Sequence, residues 1–90
     1  MTRIRWSAHA LKNLADREIP RAEAELALAD PERLEPGRPP RTVYMRRYFD
    51  ARLQKEMLIR AVVEETPNER VVTTVYITSK IGKYMKGAQP

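Results

Sequence analysis

One histidine, four tyrosines and a surplus of arginine and lysine are the side chains here that could move protons or hold an anion. The histidine, His9, lies in the stretch WSAHALKNLADR. The tyrosines are Tyr44, Tyr48, Tyr76 and Tyr84. Together with arginine and lysine, these residue types suit metal-free cleavage of RNA. That reaction needs a group to take the ribose 2′-OH proton, a group to protonate the leaving oxygen, and cations to stabilise the phosphorane. Arginine fits the last role because its planar fork can donate two parallel hydrogen bonds to a phosphate. The side chains of these types available for such work are His9, Tyr44, Tyr48, Tyr76, Tyr84, Arg46, Arg60 and Lys80. Structural roles stand beside these: His9 as a helix-start residue, the tyrosines as packing on a sheet, the lysines as a solvated flank.

Other chemistries find fewer residues. The chain has no cysteine, so neither a disulfide framework nor a thiolate metal site is expected. One histidine and no tight carboxylate cluster leave no metal set, and no cofactor is expected. The three glycines, at 37, 82 and 87, form no phosphate loop. No G-x-S-x-G elbow supports a serine nucleophile.

Charge is unevenly spread over a net of +5. Residues 16 to 35 carry three basic and seven acidic side chains, and residues 38 to 60 carry seven basic and two acidic. Residues 80 to 90 add three lysines and no acid. An electropositive side favours a polyanion such as RNA, or an acidic protein partner. The opening MTRIRWSAH contains no leader-like apolar run, and no stretch reaches the roughly 18 apolar residues of a membrane helix. A cytoplasmic protein with no membrane partner is expected.

The elements that must position these residues read as follows. Ninety residues make a single domain, 1–90, ordered over about 3–86 with a tail from Gly87. RIRW is a short strand. Ser7 suits a helix N-cap, and Ala8, Leu11, Leu14 and Ala15 give that helix its apolar stripe. Pro20 is read as the first residue of a second helix, with Ala22, Leu26 and Ala29 buried and Leu28 beside them. PERLEPGRPP is read as an irregular, proline-rich connection. From Arg41 the period becomes two. RTVYMRRYF, LQKEMLIRAVVE and RVVTTVYITS are consecutive strands, the last read as the best protected. A hairpin forms at ETPNER, and a bulge or longer loop is expected after Asp50. One or two helical turns near Ile81, Tyr84 and Met85 close the chain. This β-α-α-β-β-β order defines an α+β fold. Its two helices cover one face of a twisted antiparallel sheet, and Arg46, Arg60 and some tyrosines occupy the other.

IRWSAHALKNLADREIPRAEAELAL resembles the opening of a family of small bacterial domains of unknown function, with the pattern I-x-F-S-x-H-A and a helix ending in R-G-I. VVTTVYITSKIGKYMK resembles that family's ending, T-V-Y-x-T-S-K followed by a tyrosine. The likeness spans about residues 4 to 86. Ser7, His9, Ala10 and Arg17 match the opening, and Thr78, Ser79, Lys80 and Tyr84 match the ending. Glu18 stands where the pattern has glycine, which would put a side chain at a helix C-cap at a cost of about 1 kcal/mol. The family in turn resembles the RelE/ParE-like toxins of toxin–antitoxin systems. That resemblance implies two helices against an antiparallel sheet and an antitoxin that wraps the domain. It implies either RelE-like cleavage of mRNA by basic and tyrosine residues, with His9, Lys80 and Tyr84 as candidate catalytic residues and Arg17, Arg46, Arg60 and Lys83 as candidate phosphate-binding residues, or ParE-like inhibition of gyrase without nuclease activity.

Overall fold

The computed structural model describes residues 3–86, so the expected tail from Gly87 lies outside the described residues. In chain order the elements are β1 (Arg3–Trp6), α1 (Ala8–Asp16), α2 (Arg21–Ala29), β2 (Arg33–Pro36), β3 (Arg41–Asp50), β4 (Lys55–Glu65), β5 (Glu69–Thr78) and α3 (Ile81–Met85). The strands form one five-stranded sheet in the order β1-β5-β4-β3-β2. The α+β class and the pair of helices on one sheet face are as expected. Among the described residues no helix is long and apolar enough to cross a membrane.

Two features of the sheet differ from the sequence reading. The proline-rich connection contains β2, which pairs antiparallel with β3 through Arg33↔Met45 and Glu35↔Val43. Its Pro36 is tolerated because an edge strand leaves one side unpaired and a terminal residue need not donate. In addition, β1 pairs with β5 in parallel, making the sheet mixed.

The first helix starts as predicted. Ser7 Oγ accepts from the Ala10 N–H at 3.0 Å. At its far end Glu18 has φ 53. The Ile19 N–H bonds the Leu14 carbonyl at 2.9 Å and the Glu18 N–H bonds that of Ala15 at 3.3 Å. This is a Schellman closure with a non-glycine in the left-handed position. Ile19 and Leu14 both lie in the core, which supplies the hydrophobic contact of that motif. Pro20 is the N-cap of α2 rather than its first residue.

The buried stripes are rotated from those expected. Ala10, Asn13 and Leu14 are buried on α1, and Ala24, Ala27 and Leu28 on α2, while Leu11 and Leu26 are exposed. Alanines stand on several faces of both helices, so apolar type alone does not choose the face. Ala10, Ala24 and Ala27 are fully buried, and their small side chains allow close approach to the sheet.

The core under these helices takes Tyr44 and Tyr48 from β3, Met57, Ile59, Ala61 and Val63 from β4, and Val72 and Val75 from β5. A bulge at Val62/Val63 shifts the phase, so Val72 and Val75 share a face despite their odd spacing. Strand β4 is the best protected, not β5. Short β1 flanks only the first part of β5. Beyond it α1 covers the edge: the Ser7 N–H bonds the Val72 carbonyl, Asn13 Oδ1 accepts from the Val75 N–H at 3.0 Å, and Arg17 Nη1 donates to the Val75 carbonyl at 2.8 Å. After Asp50 the chain makes the expected longer loop, closed by the Leu53 N–H donating to Asp50 Oδ1 at 2.9 Å.

Candidate functional site

Alternation along the strands gives the sheet a second face with its own small core. Val43 and Met45 of β3 and Leu58 and Val62 of β4 form it, and α3 covers it with Ile81, Tyr84 and Met85. Those three residues stand at i, i+3 and i+4, one side of a helical turn. The chain reverses from β5 into α3 through Ser79 and Lys80, where the Lys80 N–H donates to Thr78 Oγ1 at 3.1 Å.

Arg60 sits in the middle of this apolar surface and is 7% exposed. Its Nη1 donates to the Tyr76 hydroxyl at 2.7 Å, and its Nη2 to Glu35 Oε1 at 2.7 Å. The Arg60 Cζ lies 3.9 Å from the ring centroid of Tyr84. Arg60 Nε has no hydrogen-bond partner among the described residues. Lys83 Nζ stands 5.2 Å from the Tyr84 centroid. A guanidinium is thus held by a carboxylate, a phenol and a stacked ring, with Lys83 on the same ring.

The two tyrosines are biased in opposite directions. Burial pushes the Tyr76 phenol above its ordinary value; the Arg60 charge opposes this without cancelling it. For Tyr84 burial also acts upward, but the Lys83 charge, Arg60 and the contact with Tyr76 together outweigh it, so this phenol is held below its ordinary value. Paired groups displaced in opposite directions have the character of an acid–base pair.

The candidate residues divide between the two faces. Arg60 and Tyr84 meet directly, Lys83 lies beside Tyr84, and Lys80 stands at the start of the same short helix. His9 lies on α1 on the opposite side of the sheet, exposed, its side chain making no hydrogen bond among the described residues. Arg17 is engaged with the Val75 carbonyl. Arg46 belongs to the helix face, not the Arg60 face: its Nη1 donates to the Asp30 carbonyl at 2.8 Å, at the end of α2. Arg46 alternates with Tyr44 and Tyr48 along β3, and that whole set turns toward the helices, against the expectation that placed Arg46 with Arg60. Glu35 lies in a segment that the sequence reads as irregular; its polar–apolar–polar alternation is the one trace of a strand, and burial runs against residue type there, with Leu34 exposed and Arg33 and Glu35 partly covered. Among the described residues no three His, Cys, Asp or Glu side chains cluster as a metal site.

Fold and site together define a small α+β domain with two helices on one face of a mixed sheet and an arginine–tyrosine cluster beneath a short helix on the other. The chain belongs to the DUF4258 family, a domain of unknown function, whose model matches residues 6–77. No curated protein and no solved structure matches the chain.

Proposed function

We propose that the α3 face binds RNA and cleaves its backbone without a metal ion, as a RelE-like toxin domain of a toxin–antitoxin pair. The observation that carries this reading is Arg60 set between Tyr76, at 2.7 Å, and the ring of Tyr84, at 3.9 Å, with the two phenols biased apart. Tyr84, the more acidic phenol, acts in its ionised form: the phenolate oxygen takes the proton of a ribose 2′-OH as that oxygen attacks phosphorus, and Tyr84 ends the step protonated. The bond to the 5′ oxygen breaks, leaving a 2′,3′-cyclic phosphate, and Tyr76, the more firmly protonated phenol, supplies the proton to the departing oxygen. Arg60 balances the charge that builds on the phosphorane. Glu35 occupies Arg60 as a phosphate would, and the substrate displaces it. Lys80 and Lys83 guide the polyanion to the face. An RNA target would place this work in the cytoplasm.

Incubation of a purified RNA with the protein in the presence of a chelator tests the reading. Cleavage is expected, and Tyr84→Phe and Arg60→Gln are each expected to reduce it by orders of magnitude with the fold retained by circular dichroism. His9→Ala is expected to leave it intact. Cleavage undiminished in folded Tyr84→Phe and Arg60→Gln overturns the assignment. Growth arrest on induced expression with RNA left whole would select a non-enzymatic module instead, of the gyrase-inhibiting or partner-binding kind.

A further inference from the structure

The edge of the sheet at β1 carries a second feature, independent of the α3 face. A cleft of about 370 Å³ opens between β1 and α2, lined by Ile4, Trp6, Leu28, Arg21 and Glu25. Its floor is apolar. Its rim is polar, with Arg21 stacked 4.9 Å from the Trp6 centroid and paired with Glu25 at 3.2 Å. Ile4 is 38% exposed at its lip.

The cleft borders a strand with an unused side. β1 is the outermost strand of the sheet, with β5 as its one neighbour. The Ser7 N–H points to β5, where it bonds the Val72 carbonyl at 3.0 Å. In-plane directions alternate along a strand, so Arg5 and Arg3 also turn their backbone groups to β5. Those of Ile4 and Trp6 turn to the open edge. Side chains alternate as well. Ile4 and Trp6 stand on the helix side with the cleft, and Arg3 and Arg5 on the other.

We propose that the β1 edge and this cleft dock an extended partner segment of alternating acidic and apolar residues, added as a sixth strand. Its backbone would pair with Ile4 and Trp6, its apolar side chains would enter the cleft, and a carboxylate would lie beside Arg3, since Arg5 on the same face is already paired with Glu69 at 3.1 Å. The same residues argue against a second copy of this chain as the occupant. Antiparallel pairing of two β1 strands that keeps both helix layers on one side sets arginine opposite arginine, which is unfavourable. Arg3, which has no ion-pair partner among the described residues, is the charge that selects an acidic partner.

Trp6 is the only tryptophan of the chain and lies in the cleft, so its fluorescence reports occupancy. The probe is a synthetic peptide of alternating glutamate and valine, with a lysine–valine peptide and a proline-interrupted glutamate–valine peptide as controls. A saturable change in Trp6 emission is expected with the glutamate–valine peptide alone. Arg3→Glu should weaken it several-fold and shift preference toward the lysine–valine peptide. Ile4→Pro, which removes an open-edge N–H, should abolish it with the melting temperature retained; if that variant unfolds, Ile4→Asp at the cleft lip should give the same loss. No saturable change with the glutamate–valine peptide, or equal affinity for the acidic and basic peptides, overturns the proposal.

Discussion

Arg17 donates to the carbonyl oxygen of Val75 at 2.8 Å, and Asn13, one turn earlier, accepts from the N–H of that same residue. A helix thereby completes a strand edge that β1 is too short to cover. The arginine that matches the family's opening pattern is thus a structural clamp, with its guanidinium turned to the sheet. Arg17→Ala should lower stability by about 1–2 kcal/mol, since it withdraws a charged donor from a backbone carbonyl. For a chain of this size each kcal/mol is roughly 4–8 °C of melting temperature. A melting temperature unchanged by Arg17→Ala would remove the clamp role.

Glu18 adopts φ 53 at the C-terminal closure of α1, where a side chain is disfavoured. Its carboxylate lies 3.7 Å from Arg52, an exposed pair of small worth. Glu18→Gly should therefore raise stability by about 1 kcal/mol, seen as a higher midpoint in urea with unchanged slope. A lower midpoint would mean that the Arg52 contact outweighs the backbone relief.

These two positions show what the sequence makes legible. Ser7 as a cap, Glu18 as an awkward closure and the two-residue period after Arg41 are local signals, and local geometry obeys them. The pairing of β1 with β5 joins segments more than sixty residues apart and leaves no local trace. β2 was hidden by its prolines, and with it Glu35, the carboxylate on Arg60. Residue type and alternation single out Arg60, and the resemblance at the end of the chain singles out Tyr84. Which alternating set faced the helices was decided only by packing, and so Arg46 was assigned to the wrong side.

Stability should fall on both sides of a broad pH plateau. The Arg47 hydrogen bond holds Glu32 below the usual carboxylate range, the Tyr48 hydroxyl does so for Asp50, and Arg5 for Glu69. Each binds its proton less readily folded than unfolded, so its contribution is full above the ordinary carboxylate range and is lost as pH falls through the lowered value. Tyr48 runs the other way: burial and then the Asp50 bond at 2.6 Å raise its phenol, so its contribution is present below the ordinary tyrosine value and fades as pH rises beyond it. Melting curves across the pH range should show both arms, and Asp50→Asn should flatten both. Arms unaltered in that variant would remove the Tyr48–Asp50 pair as a cause.

Glu35 competes with any anion for Arg60. Its Oε1 accepts from Nη2 at 2.7 Å, and the carboxylate remains about one-third exposed, so it can leave. Glu35→Gln keeps the shape and removes the charge. Two effects of opposite sign should follow. The melting temperature should fall, because the buried guanidinium loses its counter-charge. Affinity for a short RNA at low salt should rise, by up to about 1 kcal/mol or roughly fivefold in Kd, because a phosphate no longer displaces a carboxylate. Fluorescence anisotropy with a labelled oligonucleotide measures the second effect directly. A folded Glu35→Gln protein that binds RNA no more tightly than the parent chain would show that phosphate does not reach Arg60, and the α3 face would lose its claim to the substrate.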